Sequence, residues 1–346
     1  MNSEKSAYNP EKVEGQPPVY EVKEIDSPIL EHYQPQYLAK GGEHIVYKVP
    51  NHPEVVVKVI VETVKKIFKY NIENKLPADS LSSGLKSISQ EYIKKEANRF
   101  KQLENYFGKD HVLQQRKQLS RLPVNERILM QLFKSHPPAN IKEVYGVTMV
   151  QTMAPEASDE RRIEITSGYW EKSDVDADIY REITNPLLIG QDIDSHRLES
   201  VALSAPLQKV LEKVKADPVF SEQLTQFIKQ CIIYTQETGE ILDLVGNDNV
   251  IFSDQSGEWN YKLIDALYPK TDQMLGRIQA VIRKLSLKEL ITPEDNNHLL
   301  NGVNYIRFIN GLASYLDINE KIRVVPEDIA IEDIDLLQVI RAGHMP

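Results

Sequence analysis

Leu38-Ala39-Lys40-Gly41-Gly42-Glu43-His44-Ile45-Val46-Tyr47-Lys48, followed after Pro50-Asn51-His52-Pro53 by Val55-Val56-Val57-Lys58-Val59-Ile60, is the stretch on which the fold turns. Short β-branched runs separated by glycine and proline clusters read as strands joined by two hairpin connections. A glycine turn lets backbone come close to a polyphosphate, and a lysine on the following strand, here Lys58, can reach the same phosphates with a point charge. The plainer reading of the same residues is a two-glycine hairpin with a lysine projecting from an edge strand.

Working outward, residues 1–34 carry Pro10, Pro17, Pro18 and Pro28 with no sustained apolar period, the pattern of a flexible arm. A helix is expected over 87–108, where Tyr92, Phe100, Leu103 and Phe107 recur at helical spacing and Gly108 supplies a stop. A polar insertion at about 62–86 precedes it. Residues 128–133 form an apolar run that fits helix or strand, and 147–153, closed by Ala154-Pro155, reads as a strand. A charged, irregular insertion spans about 156–200. Phe220, Leu224, Phe227, Ile228, Cys231 and Ile232 then mark an amphipathic helix ending before Gly239. A β segment follows at 249–252 and 261–264 around a turn at 254–257, and the remainder is helical. Strands first and helices last predict an α+β protein in two lobes, a β-rich one over 35–155 and a helical one over 156–346.

Composition narrows the function. Of 346 residues, 41% are hydrophobic and 27% charged, enough for a real core. Fifty-one acidic against forty-one basic residues give a net charge of −10, which disfavours bulk nucleic-acid binding. The apolar runs fall short of the roughly 20 residues of a membrane span. The polar start Asn2-Ser3-Glu4-Lys5 lacks the apolar core of a secretory signal, so a cytoplasmic protein is expected, with export as an effector left open. The single cysteine, Cys231, excludes an intramolecular disulfide framework and reads as core packing.

A second signal is Gly239-Glu240-Ile241-Leu242-Asp243-Leu244-Val245-Gly246-Asn247-Asp248-Asn249-Val250-Ile251-Phe252, and after it Lys262-Leu263-Ile264-Asp265-Ala266-Leu267. Read plainly, Asp243, Asp248 and Asn249 are turn residues that bond their own backbone. Together with the first stretch, and in the same order, these residues resemble the protein-kinase superfamily, in particular its divergent, atypical bacterial members. The resemblance covers roughly 35–285. It implies a two-lobed fold with a small β-rich N-lobe and a helical C-lobe, and ATP as cofactor with Mg²⁺ or Mn²⁺. Gly41 and Gly42 would stand for the Gly-rich loop and Lys58 for the strand-three lysine, with Val56 and Met153 beside the nucleotide. Glu96, in the apolar stripe of its helix, would pair with Lys58, because a carboxylate on a buried face needs a partner. Asn249 and Asp265 would hold the metal and Asp243 would be the catalytic aspartate.

The chain departs from the family's pattern at several points. Ala39 and His44 stand at the first and third glycines of G-x-G-x-x-G-x-V, and Ala266-Leu267 replace the Phe-Gly after the metal aspartate. No His-Arg-Asp occurs, no Ala-Pro-Glu follows Asp265, and Asp243 comes one residue early relative to Asn249. A bulge at Val245-Gly246, with Gly246 in a conformation closed to other residues, would bring Asp243 back to the substrate hydroxyl; failing that, Glu240 is the substitute base. Three function classes remain: an atypical kinase acting on protein hydroxyls, a small-molecule phosphotransferase of the aminoglycoside- or choline-kinase type, and a nucleotide-binding pseudokinase serving as an interaction module. The active phosphotransferase is the expectation, because Lys58, Glu96, Asn249 and Asp265 are all present.

Overall fold

A computed structural model describes residues 36–40, 44–50, 52–77, 80–123, 141, 143–153, 161–167, 177–194, 205–246, 249–255, 257–267 and 273–334. The expected arm, Gly41 and Gly42, the apolar run at 128–133 and Asp248 lie outside them. The protein is mixed α+β, with antiparallel sheets and, among the described residues, seven α-helices. It divides into two compact units, residues 1–96 with 114–153 and residues 97–113 with 154–346. None of its described helices is long and apolar enough to cross a membrane.

In the first unit, the β-branched runs form β1 (Gln36–Lys40), β2 (His44–Val49) and β3 (His52–Ile60). They are joined by β4 (Gln115–Pro123) and β5 (Glu143–Thr152) in an antiparallel sheet of order β1-β2-β3-β5-β4. Side chains alternate between its two faces. On one, Ile45, Tyr47, Val57 and Val59 bury against Val61 and Val64 of helix α1 (Val61–Glu73). On the other, Ile60 and Val147 bury against Ile93 of helix α2 (Ser83–Phe107), with Tyr92 and Leu119 beside them. Much of the stretch read as an insertion at about 62–86 is thus helix. α1 starts directly after β3 without a side-chain cap at Ile60, so the sequence carries no punctuation there.

Thr63 ties this helix start to the sheet. Its hydroxyl donates to the Ile60 carbonyl at 2.7 Å and accepts from the Val147 amide at 2.9 Å, one residue beyond the last β3 partner of β5. Helix and strand approach so closely that a Cβ on Gly146 would stand 2.4 Å from Val64 Cγ2. Val64 is fully buried and stiff at χ1.

In the second unit, a hairpin of β7 (Val250–Gln255) and β8 (Glu258–Leu263), edged by β6 (Arg162–Glu164), packs on helix α5 (Pro218–Thr238). The contact is aromatic: Phe220 and Phe227 meet Phe252, Trp259 and Tyr261 with ring centroids 5.0–5.6 Å apart, edge to face. Helices α3 (Ala177–Leu188), α4 (Ala205–Ala216), α6 (Met274–Ser286) and α7 (Pro293–Tyr315) complete the unit. The end of α2 contributes Leu103 and Phe107 to the same core. Cys231 lies fully buried within it. Asp217 caps α5, accepting from the Val219 and Phe220 amides at 3.1 Å and from Trp259 Nε1 at 2.8 Å, with Lys213 at 3.1 Å. Burial pushes the Asp217 carboxyl up, but the Phe220 amide, Lys213 and Trp259 outweigh it and hold the group below the usual carboxylate range.

Two outcomes follow from this packing. Gly146→Ala should destabilise by about 1–3 kcal/mol in denaturant titration, the usual cost of overpacking. Asp217→Ala should cost about 0.5–2 kcal/mol, typical of a lost N-cap. Because the folded pKa of Asp217 is depressed, the difference from wild type should be full above the ordinary carboxylate range and vanish as pH falls through the folded value.

Candidate functional site

The chemistry-bearing residues of the second unit gather where α5 ends. Gly239 closes that helix in the left-handed region, φ 72°, its amide bonding the Thr235 carbonyl at 3.0 Å. The loop that follows alternates. Leu242 and Leu244, each 1% exposed, are anchored in the core, which leaves the half-buried Asp243 side chain between them directed elsewhere. Backbone bonds hold the loop against the segment after β8: the Asp243 amide donates to the Ala266 carbonyl at 2.9 Å and Leu242 bridges to Leu267. The Leu244 carbonyl accepts from the Ser167 amide at 2.8 Å, Thr166 Oγ1 at 3.0 Å and Ser167 Oγ at 3.2 Å.

Asn249, 8% exposed at the entry to β7, joins this loop to the hairpin. Its Nδ2 donates to the Asp243 carbonyl at 2.9 Å, and its own carbonyl accepts from the Ile264 amide at 2.8 Å, one residue before Asp265. Burial raises the Asp243 carboxyl above the usual range, the Val245 and Gly246 amides act against this, and the negative charge of Asp265 raises it further. Asp243, Asn249 and Asp265 therefore form one cluster. Asp243 Oδ1 accepts from the Val245 amide at 3.1 Å and the Gly246 amide at 3.4 Å, so the aspartate also shapes its own turn.

Two sequence expectations are corrected here. Gly246 does not take the positive φ anticipated for it. It is required for space, because a Cβ there would stand 2.6 Å from Asn249 Nδ2, the atom that reaches Asp243. Glu240 is no reserve base: it is buried, with Oε2 on Arg99 Nη2 at 3.2 Å and Oε1 accepting from the Gln273 amide at 3.0 Å. A carboxylate held from both sides in this way anchors the loop and the start of α6.

In the first unit, Lys58 is half-buried on β3 and Val56 buried on the same face, two residues away. Met153, at the end of β5, donates its amide to the Glu54 carbonyl at 2.8 Å, and its side chain is 40% exposed. Glu96 faces this side of the sheet. Its carboxylate accepts from Lys117 Nζ of β4 at 2.7 Å, a residue that sequence reading passed over. Lys117 lies among Gln115, Arg116 and Gln118, with no motif to single it out, and only the strand register brings it to Glu96.

No group of three or more His, Cys, Asp or Glu side chains converges to hold a metal ion among the described residues. A Mg²⁺-type site needs fewer, because that ion keeps waters and phosphate oxygens among its ligands. Asp265 and the Asn249 carboxamide oxygen are hard donors of the right kind. The repulsion between Asp243 and Asp265 is what a divalent cation would relieve. In metal-free protein, Asp265→Asn should accordingly lower the Asp243 pKa, read from its carboxyl ¹³C shift against pH; an unchanged titration would show that the two carboxylates do not interact.

The chain matches no family model, no curated protein and no solved structure.

Proposed function

We propose that this chain is a divergent protein-kinase-like protein with a small β-rich lobe and a helical lobe, and that it transfers the γ-phosphate of ATP to a hydroxyl, on a protein substrate. The observation that carries the reading is the bond from Asn249 Nδ2 to the Asp243 carbonyl, with Asp265 close enough to raise the Asp243 pKa. One residue of loop displaced from the family's spacing is thereby accommodated, and a candidate base, a carboxamide and a second carboxylate stay together. In this reading Lys58 meets the nucleotide phosphates, and Asn249 and Asp265 hold Mg²⁺ or Mn²⁺, which would neutralise charge on the transferring group. The acceptor oxygen bonds to the γ-phosphorus as the bond to the β-phosphate oxygen breaks, ADP leaves, and the hydroxyl proton passes to Asp243. A base with a raised pKa is poised closer to neutral pH than an ordinary aspartate.

A second reading has its own observation. Because Asp243 Oδ1 is engaged by the Val245 and Gly246 amides, the aspartate would also serve a pseudokinase as a turn-forming residue. The start of α6 at Met274, soon after Asp265, leaves little chain for a peptide-docking segment and keeps a small-molecule acceptor in view.

The three are separated by labelled γ-phosphate transfer from ATP with Mg²⁺ or Mn²⁺ to added proteins and to a panel of small alcohols. Asp243→Asn should lower transfer about 10²–10⁴-fold, the range of general-base contributions. Its melting temperature should not fall, because the amide oxygen can still accept from Val245 and Gly246 while the cost of a buried charge disappears. An Asp243→Asn variant with wild-type transfer, or a chain whose melting temperature is insensitive to millimolar nucleotide and metal, would defeat the phosphotransferase reading.

A further inference from the structure

The pair between Glu96 and Lys117 stands out among the polar groups of the first unit. Their side chains are 11% and 12% exposed, and they meet at 2.7 Å on the sheet face that also carries Val56, Lys58, Ile60, Val147, Met149 and Gln151. Ion pairs taken out of water often stabilise no more than apolar residues of the same volume would. Its position relative to Lys58 suggests a task beyond stability. Strand register sets Lys58 opposite Met149 on one side and Lys117 opposite Met149 on the other. The two lysines therefore occupy one row on one face, separated by two strand spacings, roughly 10 Å between Cα atoms. Glu96 reaches that row from α2, whose Tyr92 and Ile93 pack on the same face.

We infer that Lys117 is a positioning residue for phosphate binding: by holding the Glu96 carboxylate on the row of Lys58, it sets the electrostatic frame in which the Lys58 ammonium meets a nucleotide polyphosphate. This rests on the nucleotide reading of the face. A lysine here brings a second positive charge to the row of Lys58, the sign that a polyphosphate complements. Met149, 1% exposed, lies between the two lysines in that row.

The test uses the full chain, with the dissociation constant for ATP and Mg²⁺ measured by titration calorimetry and the melting temperature measured without ligand. Lys117→Met should weaken binding about tenfold or more, about 1.4 kcal/mol, whereas Lys117→Arg should stay within about threefold of wild type. Because Lys117→Met removes one partner of a buried ion pair and can weaken the fold, the double variant Glu96→Gln with Lys117→Gln removes both charges together; it too should bind about tenfold more weakly. A purely structural pair would lower the melting temperature and leave the dissociation constant of the folded protein unchanged. Wild-type affinity in the double variant overturns the inference alone. A wild-type chain that binds no nucleotide overturns the site reading and this inference with it.

Discussion

The burial of Leu242 and Leu244 on either side of Asp243 is the constraint from which the rest of the second unit's site follows. With both leucines in the core, packing restricts the backbone between them and with it the direction of Asp243. The bonds from Ala266, Ser167, Thr166 and Asn249 then have fixed carbonyls and amides to meet. The energetic order runs from apolar to polar, as it must where net hydrogen-bond gains are small and the penalty for an unmet buried group is large.

Around this core the charged groups fall into two kinds. Glu240 is held by Arg99 and the Gln273 amide and is fixed in place. Asp243 is held differently: burial and the neighbouring Asp265 raise its carboxyl above the usual range, while the Val245 and Gly246 amides act against this. In the first unit Glu96 belongs with the anchored kind through Lys117, while the strand row connects that anchor to Lys58.

Much of the secondary structure was legible in the sequence because it is written in periodicity. The β-branched runs became β1 to β3, the apolar stripe from Phe220 to Ile232 became α5, and the Asp254 to Gly257 turn became a hairpin, with the Gly257 amide bonded to Asp254 Oδ1 at 2.7 Å. What escaped lacks periodicity or punctuation. β4 begins Gln115-Arg116-Lys117-Gln118, polar on both faces, because its inward side meets a glutamate on one face and buried Thr148 on the other. α1 begins without a cap and follows a valine-rich strand directly. At the candidate site, residue types and order pointed to Asp243, Asn249 and Asp265, whereas the contacts of Glu96 with Lys117 and of Glu240 with Arg99 depend on register and tertiary packing that no local pattern encodes. Gly246 was singled out for its backbone freedom and is needed for the space beside Asn249.

The sole cysteine has a practical bearing of its own. Cys231 is completely enclosed in the core of the second unit, where burial pushes its thiol far up and a hydrogen bond with Tyr305 only partly offsets this. Burial thus disfavours the thiolate, which is the reactive species, in the native state. A thiol reagent can therefore reach the chain only after the surrounding helices have separated, and its rate of uptake counts openings of that core. The native fold keeps this side chain out of oxidative crosslinking, and the same cysteine serves as a built-in clock for how often the second unit comes apart.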